Sequence, residues 1–140
     1  MITEKFVFNY GGGFMKQEEK ELLLKDLCAR LPYGVKCKVS YNSGVINDAD
    51  ATLYGMDKDG FLMFDEIGGD HREFLCKPYL FPLSSMTPKQ KAELSMLVVG
   101  VEDIFKSFLI EVEFYHKHHI DYRGLIPMGL AIDATGLNIY

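Results

Sequence analysis

The sequence has little cysteine, and its cysteines do not form a motif. The three that occur in 140 residues are Cys28, Cys37 and Cys76, an odd number with no Cys-x-x-Cys spacing. This excludes a disulfide framework and a zinc knuckle as the basis of the fold. We therefore expect a protein of a reducing compartment such as the cytoplasm.

A long uncharged apolar run is also missing. The most hydrophobic window, residues 94–112, is interrupted by Glu102, Asp103, Lys106 and Glu111, each of which would be costly in lipid. The first residues lack the basic start and the apolar stretch of a secretory signal. We predict no membrane span and no export, and we interpret residues 94–112 as core helix.

An excess of positive charge is absent. The formal net charge is -5, which provides no general attraction for a phosphate backbone, so nucleic acid is not an expected partner. Residues 42–76 hold eight acidic residues against two basic ones. Within them Asp57, Asp59 and Asp70 are candidates for binding a basic protein partner or a divalent cation, although solvated loops also carry such charges.

Recognisable catalytic motifs are missing as well. The chain has no Gly-x-Ser-x-Gly elbow, and Gly11–Gly13 lack the Gly-Lys-Ser/Thr ending of a phosphate-binding loop. Cys28 and Cys37 occupy the apolar faces of a predicted helix and a predicted strand, where cysteine behaves as a small inert hydrophobe. No catalytic residue is predicted from a motif.

The hydrophobic pattern predicts one α+β domain. Residues 1–15 are expected to be a flexible N-terminal extension joined through glycines, and residues 16–140 to be a single domain. A helix is predicted over 16–31, with Leu23 and Leu27 on its apolar face and an Asp26–Arg30 ion pair on the other side. Strands are predicted over 35–41, over 51–56 and 61–65 as a hairpin, and over 72–76.

The second half of the chain predicts more helix and a turn-rich tail. Pro78 and Pro82 argue against a central strand between them. Thr87, Pro88 and Gln90 are a helix start, and a break is expected near Gly100. The buried stripe of this helical region would be Leu94, Leu97, Val98, Val101, Phe105, Phe108, Val112 and Tyr115. The expected fold is a small antiparallel sheet of four or five short strands with two or three helices packed on one face.

A histidine-rich segment suggests a metal site. His116 and His119 would share a helix face, and Asp121 follows two residues later, a set that suits a divalent metal. With Arg123 binding an anionic substrate, this set would make a small metal-dependent hydrolase. The alternative is that these cations cluster at a helix C-terminus because its carbonyls and dipole favour positive charge. No other cofactor is expected.

Three aromatic residues are candidates for surface contacts. Tyr79, Phe81 and Tyr122 lie beside prolines or charges. Exposed rings favour protein contacts, and the alternative for each of them is packing in the core.

Three stretches resemble a family of small bacterial proteins of unknown function that also occur in phages and prophages. They are LCARLPYGVKCKV (27–39), KPYLFPLSSMT (77–87) and HIDYRGLIPMGLAIDATGLNIY (119–140). The resemblance covers roughly residues 16–140. It implies a bacterial or mobile-element context and no particular chemistry.

The sequence thus favours a non-catalytic protein-binding or accessory module, because no catalytic signature is recognisable. The alternative is the metal-dependent hydrolase. A third hypothesis, an acidic mimic of DNA, fits a mobile-element context but has only a modest negative charge to support it.

Overall fold

The structure is a computed structural model that describes residues 9–10, 13–14, 16–41, 49–58, 62–65 and 74–140. The described residues have an α+β fold with three helices and a mixed six-stranded sheet, as the sequence predicted for the class. Of the predicted extension 1–15, the described part is the antiparallel pair β1 (Asn9–Tyr10) and β2 (Gly13–Phe14).

Helix α1 spans Gln17–Arg30, close to its predicted range. The Glu19 carboxylate accepts a hydrogen bond from the Lys16 backbone N–H at 3.1 Å and so caps the helix start. Leu23 and Leu27 are fully buried, as their spacing predicted. Cys28, in contrast, is exposed rather than on the covered face. Pro32 lies in the 3₁₀ turn that ends the helix.

The sheet is built around strand β6. The strands are β3 (Lys36–Tyr41), β4 (Ala49–Met56), β5 (Leu62–Phe64), β6 (Phe74–Pro82), β7 (Ile120–Asp121) and β8 (Ile132–Asp133). Their order is β5-β4-β3-β6-β7, and β8 also pairs with β6. The predicted hairpin is confirmed as β4–β5. The pairings of β6 with β7 and with β8 are parallel, whereas those among β3, β4, β5 and β6 are antiparallel.

The expectation that Pro78 and Pro82 keep their segment out of the sheet interior is wrong. Strand β6 pairs with β3 through residues 74–78 and with β7 and β8 through residues 79–82. Pro78 is the last residue paired with β3, and Pro82 is the last residue paired with β7. Each proline therefore stands at the end of a ladder, where a missing N–H donor is tolerated.

The connection between the parallel strands β6 and β7 is a helical hairpin. It consists of α2 (Pro88–Val98) and α3 (Ile104–Lys117), joined by residues 99–103. Gly100, with φ of 78°, lies in the link, so the predicted break is confirmed. Parallel strands require such a crossover, and crossover helices ordinarily cover a sheet face with their apolar side.

The core lies where α1 and the C-terminal tail meet the sheet. It is formed by Leu23, Leu27, Val35, Cys37, Val39, Ala51, Leu53, Leu62, Phe64, Cys76, Leu80, Leu125, Leu130 and Ala131. None of these residues comes from α2 or α3. Every helix in the described residues is too short or too polar to cross a bilayer.

Candidate functional site

The α2–α3 hairpin has well-defined helix starts. At α2 the Thr87 hydroxyl accepts a hydrogen bond from the Gln90 N–H at 3.1 Å, and the Gln90 side-chain oxygen accepts one from the Thr87 N–H at 3.0 Å. This is the capping box that the sequence predicted. At α3 the Asp103 carboxylate accepts from the N–H groups of Phe105 (2.9 Å) and Lys106 (3.3 Å). The helices are therefore specified locally and do not depend on burial for their boundaries.

The hairpin exposes large apolar side chains near its connecting link. Seven residues, which we call the hairpin patch, are 50–78% exposed: Met96, Leu97, Val99, Ile104, Phe105, Phe108 and Leu109. The four from α3 recur at positions i, i+1, i+4 and i+5, so they form one stripe along the helix. The other three belong to the end of α2 and its first following residue, next to the start of α3 in the chain. The patch residues therefore flank the link on both sides.

The predicted burial of the α2–α3 hairpin is wrong for three of its large apolar residues. Leu97, Phe105 and Phe108, expected in the buried stripe, are exposed, whereas Leu94 and Val112 are half-buried. The helical period was correctly predicted. The surface that would cover the stripe is absent from the residues that the structure describes.

The hairpin is attached to the body of the protein at one end only. Helix α2 buries none of its residues, and α3 buries only Phe114, in its last turn. Near that end the Tyr33 hydroxyl donates to the Glu113 carboxylate at 2.7 Å. The end that carries the hairpin patch has no comparable attachment in the described residues, because its side chains are largely exposed.

A buried ion pair holds the attached end. Asp26 and Arg30 are both completely buried, whereas the sequence placed their i,i+4 pair on the outer side of α1. Arg30 donates from Nε to Asp26 Oδ2 at 2.8 Å and from Nη2 to Asp26 Oδ1 at 3.2 Å. It also donates to the Ile120 carbonyl at 2.7 Å and to the Tyr115 carbonyl at 3.4 Å. Arg30 thus joins α1 to the end of α3 and to β7.

Predicted site residues complete this group, which we call the Asp26–Arg30 cluster. Arg123 donates from Nε to Asp26 Oδ1 at 3.2 Å, and its guanidinium lies 5.0 Å from the centre of the Tyr122 ring. The Tyr122 hydroxyl lies 2.7 Å from His116 Nε2. Two of the predicted binding residues, Tyr122 and Arg123, therefore contact each other, and Arg123 also contacts the buried Asp26. The sequence did not predict the cluster because i,i+4 spacing does not show whether an ion pair is buried or exposed.

Burial and nearby positive charge keep His116 of the cluster, and also His119, neutral. Burial lowers the pKa of His116, and the positive charge of Arg30 lowers it further, while Asp26 opposes the shift. Burial lowers the pKa of His119 to about 4, helped by the charges of Arg30 and His118. Both side chains are therefore uncharged near neutral pH.

The three predicted metal ligands have separate sets of partners. His116 contacts Tyr122, whereas the His119 ring stacks on Tyr140 with the ring centres 3.7 Å apart. Both carboxylate oxygens of Asp121 accept backbone N–H groups, from Leu125 at 2.8 Å and Ile126 at 2.9 Å. Within the described ranges, no three His, Cys, Asp or Glu side chains are placed to hold a metal ion.

None of the remaining predicted contact residues that the structure describes belongs to the hairpin patch. Asp57 is exposed directly after β4, whereas Asp59 and Asp70 lie outside the described residues. Tyr79 is buried, and its hydroxyl donates to Asp50 at 2.5 Å. Phe81 is half-buried and packs against Tyr140, with ring centres 5.9 Å apart. It borders an open cavity of about 430 Å³ lined by Phe81, Ala134, Gly136, Asn138, Ile139 and Tyr140.

Comparison of the chain with protein-family models, with curated proteins and with solved structures finds no match.

Proposed function

We propose that this protein is a non-catalytic protein-binding module and that it binds through the hairpin patch. The observation that supports this is the exposure of seven large apolar side chains on a hairpin whose helices are well capped. The patch, rather than the acidic residues 42–76, is the surface we propose for binding.

The size of the hairpin patch supports a binding role. The largest apolar patch on a typical monomer covers about 300–600 Å² and is often functional. At the exposures of its seven side chains, the hairpin patch presents roughly 800 Å² of apolar surface, taking an aromatic side chain as about 150–250 Å². Scattered exposed hydrophobic residues need no explanation, but seven of them grouped at the link end of one hairpin do.

The buried charged residues of the described part have structural partners. Three charged residues of the described part are buried: Asp26, Arg30 and Asp121. Asp26 and Arg30 bond to each other, and Arg30 also donates to the Ile120 carbonyl. Asp121 accepts the backbone N–H of Leu125. Their charges stabilise the attachment of α1, α3 and the tail. A catalytic acid or base needs access to a substrate, and these side chains are enclosed.

Photo-crosslinking in cells tests the proposal. A benzophenone amino acid is placed at Phe105 or Phe108 in the patch and, as a matched control, at Tyr54, an aromatic residue of β4 that is 54% exposed. We expect a discrete light-dependent adduct with a protein from Phe105 and Phe108 and none from Tyr54. Absence of any protein adduct at both patch positions would contradict the proposal.

A further inference from the structure

We infer that the occupant of the hairpin patch is a second copy of this chain, so that two α2–α3 hairpins pack face to face about a two-fold axis. This inference rests on the proposed function and names the partner of the same surface. A two-fold interface is isologous, which means that the same patch on both copies must be complementary to itself.

The chemistry of the patch favours a permanent partner. Its seven residues are Met, Leu, Val, Ile and Phe, and none of them is charged. Interfaces of obligate homodimers are more hydrophobic than those between proteins that also exist apart, and they resemble a domain core cut in half. A patch of this kind has to be covered whenever the chain is folded. A second copy is the partner that is always present at the required concentration.

The area agrees with a dimer. A stable standard interface buries about 800 Å² on each partner. The apolar surface of the hairpin patch is roughly that large, so two copies bury enough for a stable dimer without involving the sheet or the tail.

The charge of the hairpin permits two copies to approach. The whole chain carries -5, but residues 88–117 hold four lysines against five acidic residues. Helix α2 has Lys89 and Lys91 near its start, and the link and α3 supply Glu102 and Asp103 beside Lys106. A nearly neutral surface with both signs interspersed brings little like-charge repulsion against its own copy. A strongly charged partner would not be matched by an excess of opposite charge on this surface.

The attachment of the hairpin suits this arrangement. The Asp26–Arg30 cluster and the Tyr33–Glu113 hydrogen bond hold the C-terminal end of α3, which leaves the patch end clear of the body. Two hairpins that pack against each other through their patch ends form a four-helix layer between two α+β bodies. The stripe of Phe105 and Phe108 lies at the centre of this layer. Helix pairs of this kind pack their apolar stripes into one another as in a four-helix bundle.

Sedimentation velocity of the purified full-length chain tests the inference. We expect a mass of twice 15.9 kDa at micromolar concentration. Phe105→Glu and Phe108→Glu place a charge in the interface twice per dimer, and each is expected to raise the dissociation constant by at least about a hundredfold. Tyr54→Glu is the matched control and should leave the dimer unchanged. Far-UV circular dichroism verifies that each variant keeps the fold, which we expect because Phe105 and Phe108 are exposed in the single chain.

The possible outcomes separate this inference from the proposed function. A wild-type chain that stays monomeric at all concentrations, or a dimer that neither glutamate variant weakens, overturns the second copy as occupant. If that monomer still crosslinks at Phe105 to a different protein, the protein-binding function stands and only the identity of the partner was wrong. If it crosslinks to no protein, the binding function fails as well.

Discussion

Arg30 is the residue on which the attachment of the hairpin depends. Its guanidinium is fully buried, and it pairs with Asp26 and with two backbone carbonyls. A buried charge is tolerated only when its partners satisfy it. The neutralisation is shared, since Arg123 also donates to Asp26.

Replacing this arginine tests that dependence. Arg30→Met keeps an unbranched apolar side chain but leaves the Asp26 carboxylate and the Ile120 carbonyl without their main donor. We expect the free energy of unfolding to fall by about 3 kcal/mol or more, the usual cost of breaking a buried pair. Urea denaturation measures it. Lys25→Ala, an exposed position of the same helix, is the control and should change stability by less than about 0.5 kcal/mol.

His119 makes stability depend on pH. Its pKa is lowered from 6.5 to about 4 in the folded protein, chiefly by burial, so between these values the unfolded chain binds more protons. Stability is therefore undiminished above pH 6.5 and is lost progressively as the pH falls from 6.5 to about 4. Urea midpoints across this range measure the loss.

His119→Asn is the matched variant for the pH experiment. His119 has φ of 58°, and asparagine accepts this left-handed conformation better than most residues. The variant lacks the titrating imidazole but retains His116, so the contribution of His116 cancels in the comparison. We expect a shallower loss of stability below pH 6.5 in the variant. Parallel pH profiles for the two proteins would contradict the role of His119.

At the scale of elements, the hairpin combines strong local signals with little burial. Helices of 11 and 14 residues are marginal in water without tertiary packing. In this chain, capping at Thr87 and Asp103 supplies part of the missing stabilisation. The caps therefore matter more here than they would on a helix anchored by core residues along its whole length.

The cap of α3 provides the test at this scale. Asp103→Ala removes the acceptor for two N–H groups, and we expect it to lower the free energy of unfolding by about 1 kcal/mol. The loss should be accompanied by faster amide hydrogen exchange in residues 104–109. Glu102→Ala, one residue earlier and likewise exposed, controls for the loss of charge and should leave exchange in that segment unaltered.

Local signals in the sequence were sufficient to predict most helix and strand positions. Leu23 and Leu27 recur at helical spacing and are buried, and Thr87, Pro88 and Gln90 mark a helix start that the structure contains. The prediction that Pro78 excludes a central strand was wrong because the sequence does not show that the two ladders of β6 meet near this residue. Phe105 and Phe108 misled for a different reason. An apolar stripe has the same pattern whether it is covered within its own chain or by another molecule.

At the scale of the whole molecule, the sheet brings together residues distant in sequence. Strand β6 pairs with β3 through its first half, and with β7 and β8, which follow the hairpin, through its second half. The tail adds a further link, since the Tyr140 hydroxyl accepts from the Lys36 N–H at 2.9 Å and donates to the Tyr79 carbonyl at 2.8 Å. The body is therefore held together by contacts that span most of the described chain.

The position of β6 has a consequence for synthesis on the ribosome. Residues 79–82 leave the exit tunnel well before Ile120 and Ile132, whose strands complete this half of β6. Until then this half of β6 carries unpaired N–H and C=O groups, which can pair with other chains. The α2–α3 hairpin emerges in this interval and forms quickly because its contacts are local. The nascent chain therefore presents an incomplete sheet edge and the hairpin patch at the same time, which makes this stage the one most exposed to aggregation and most dependent on chaperones.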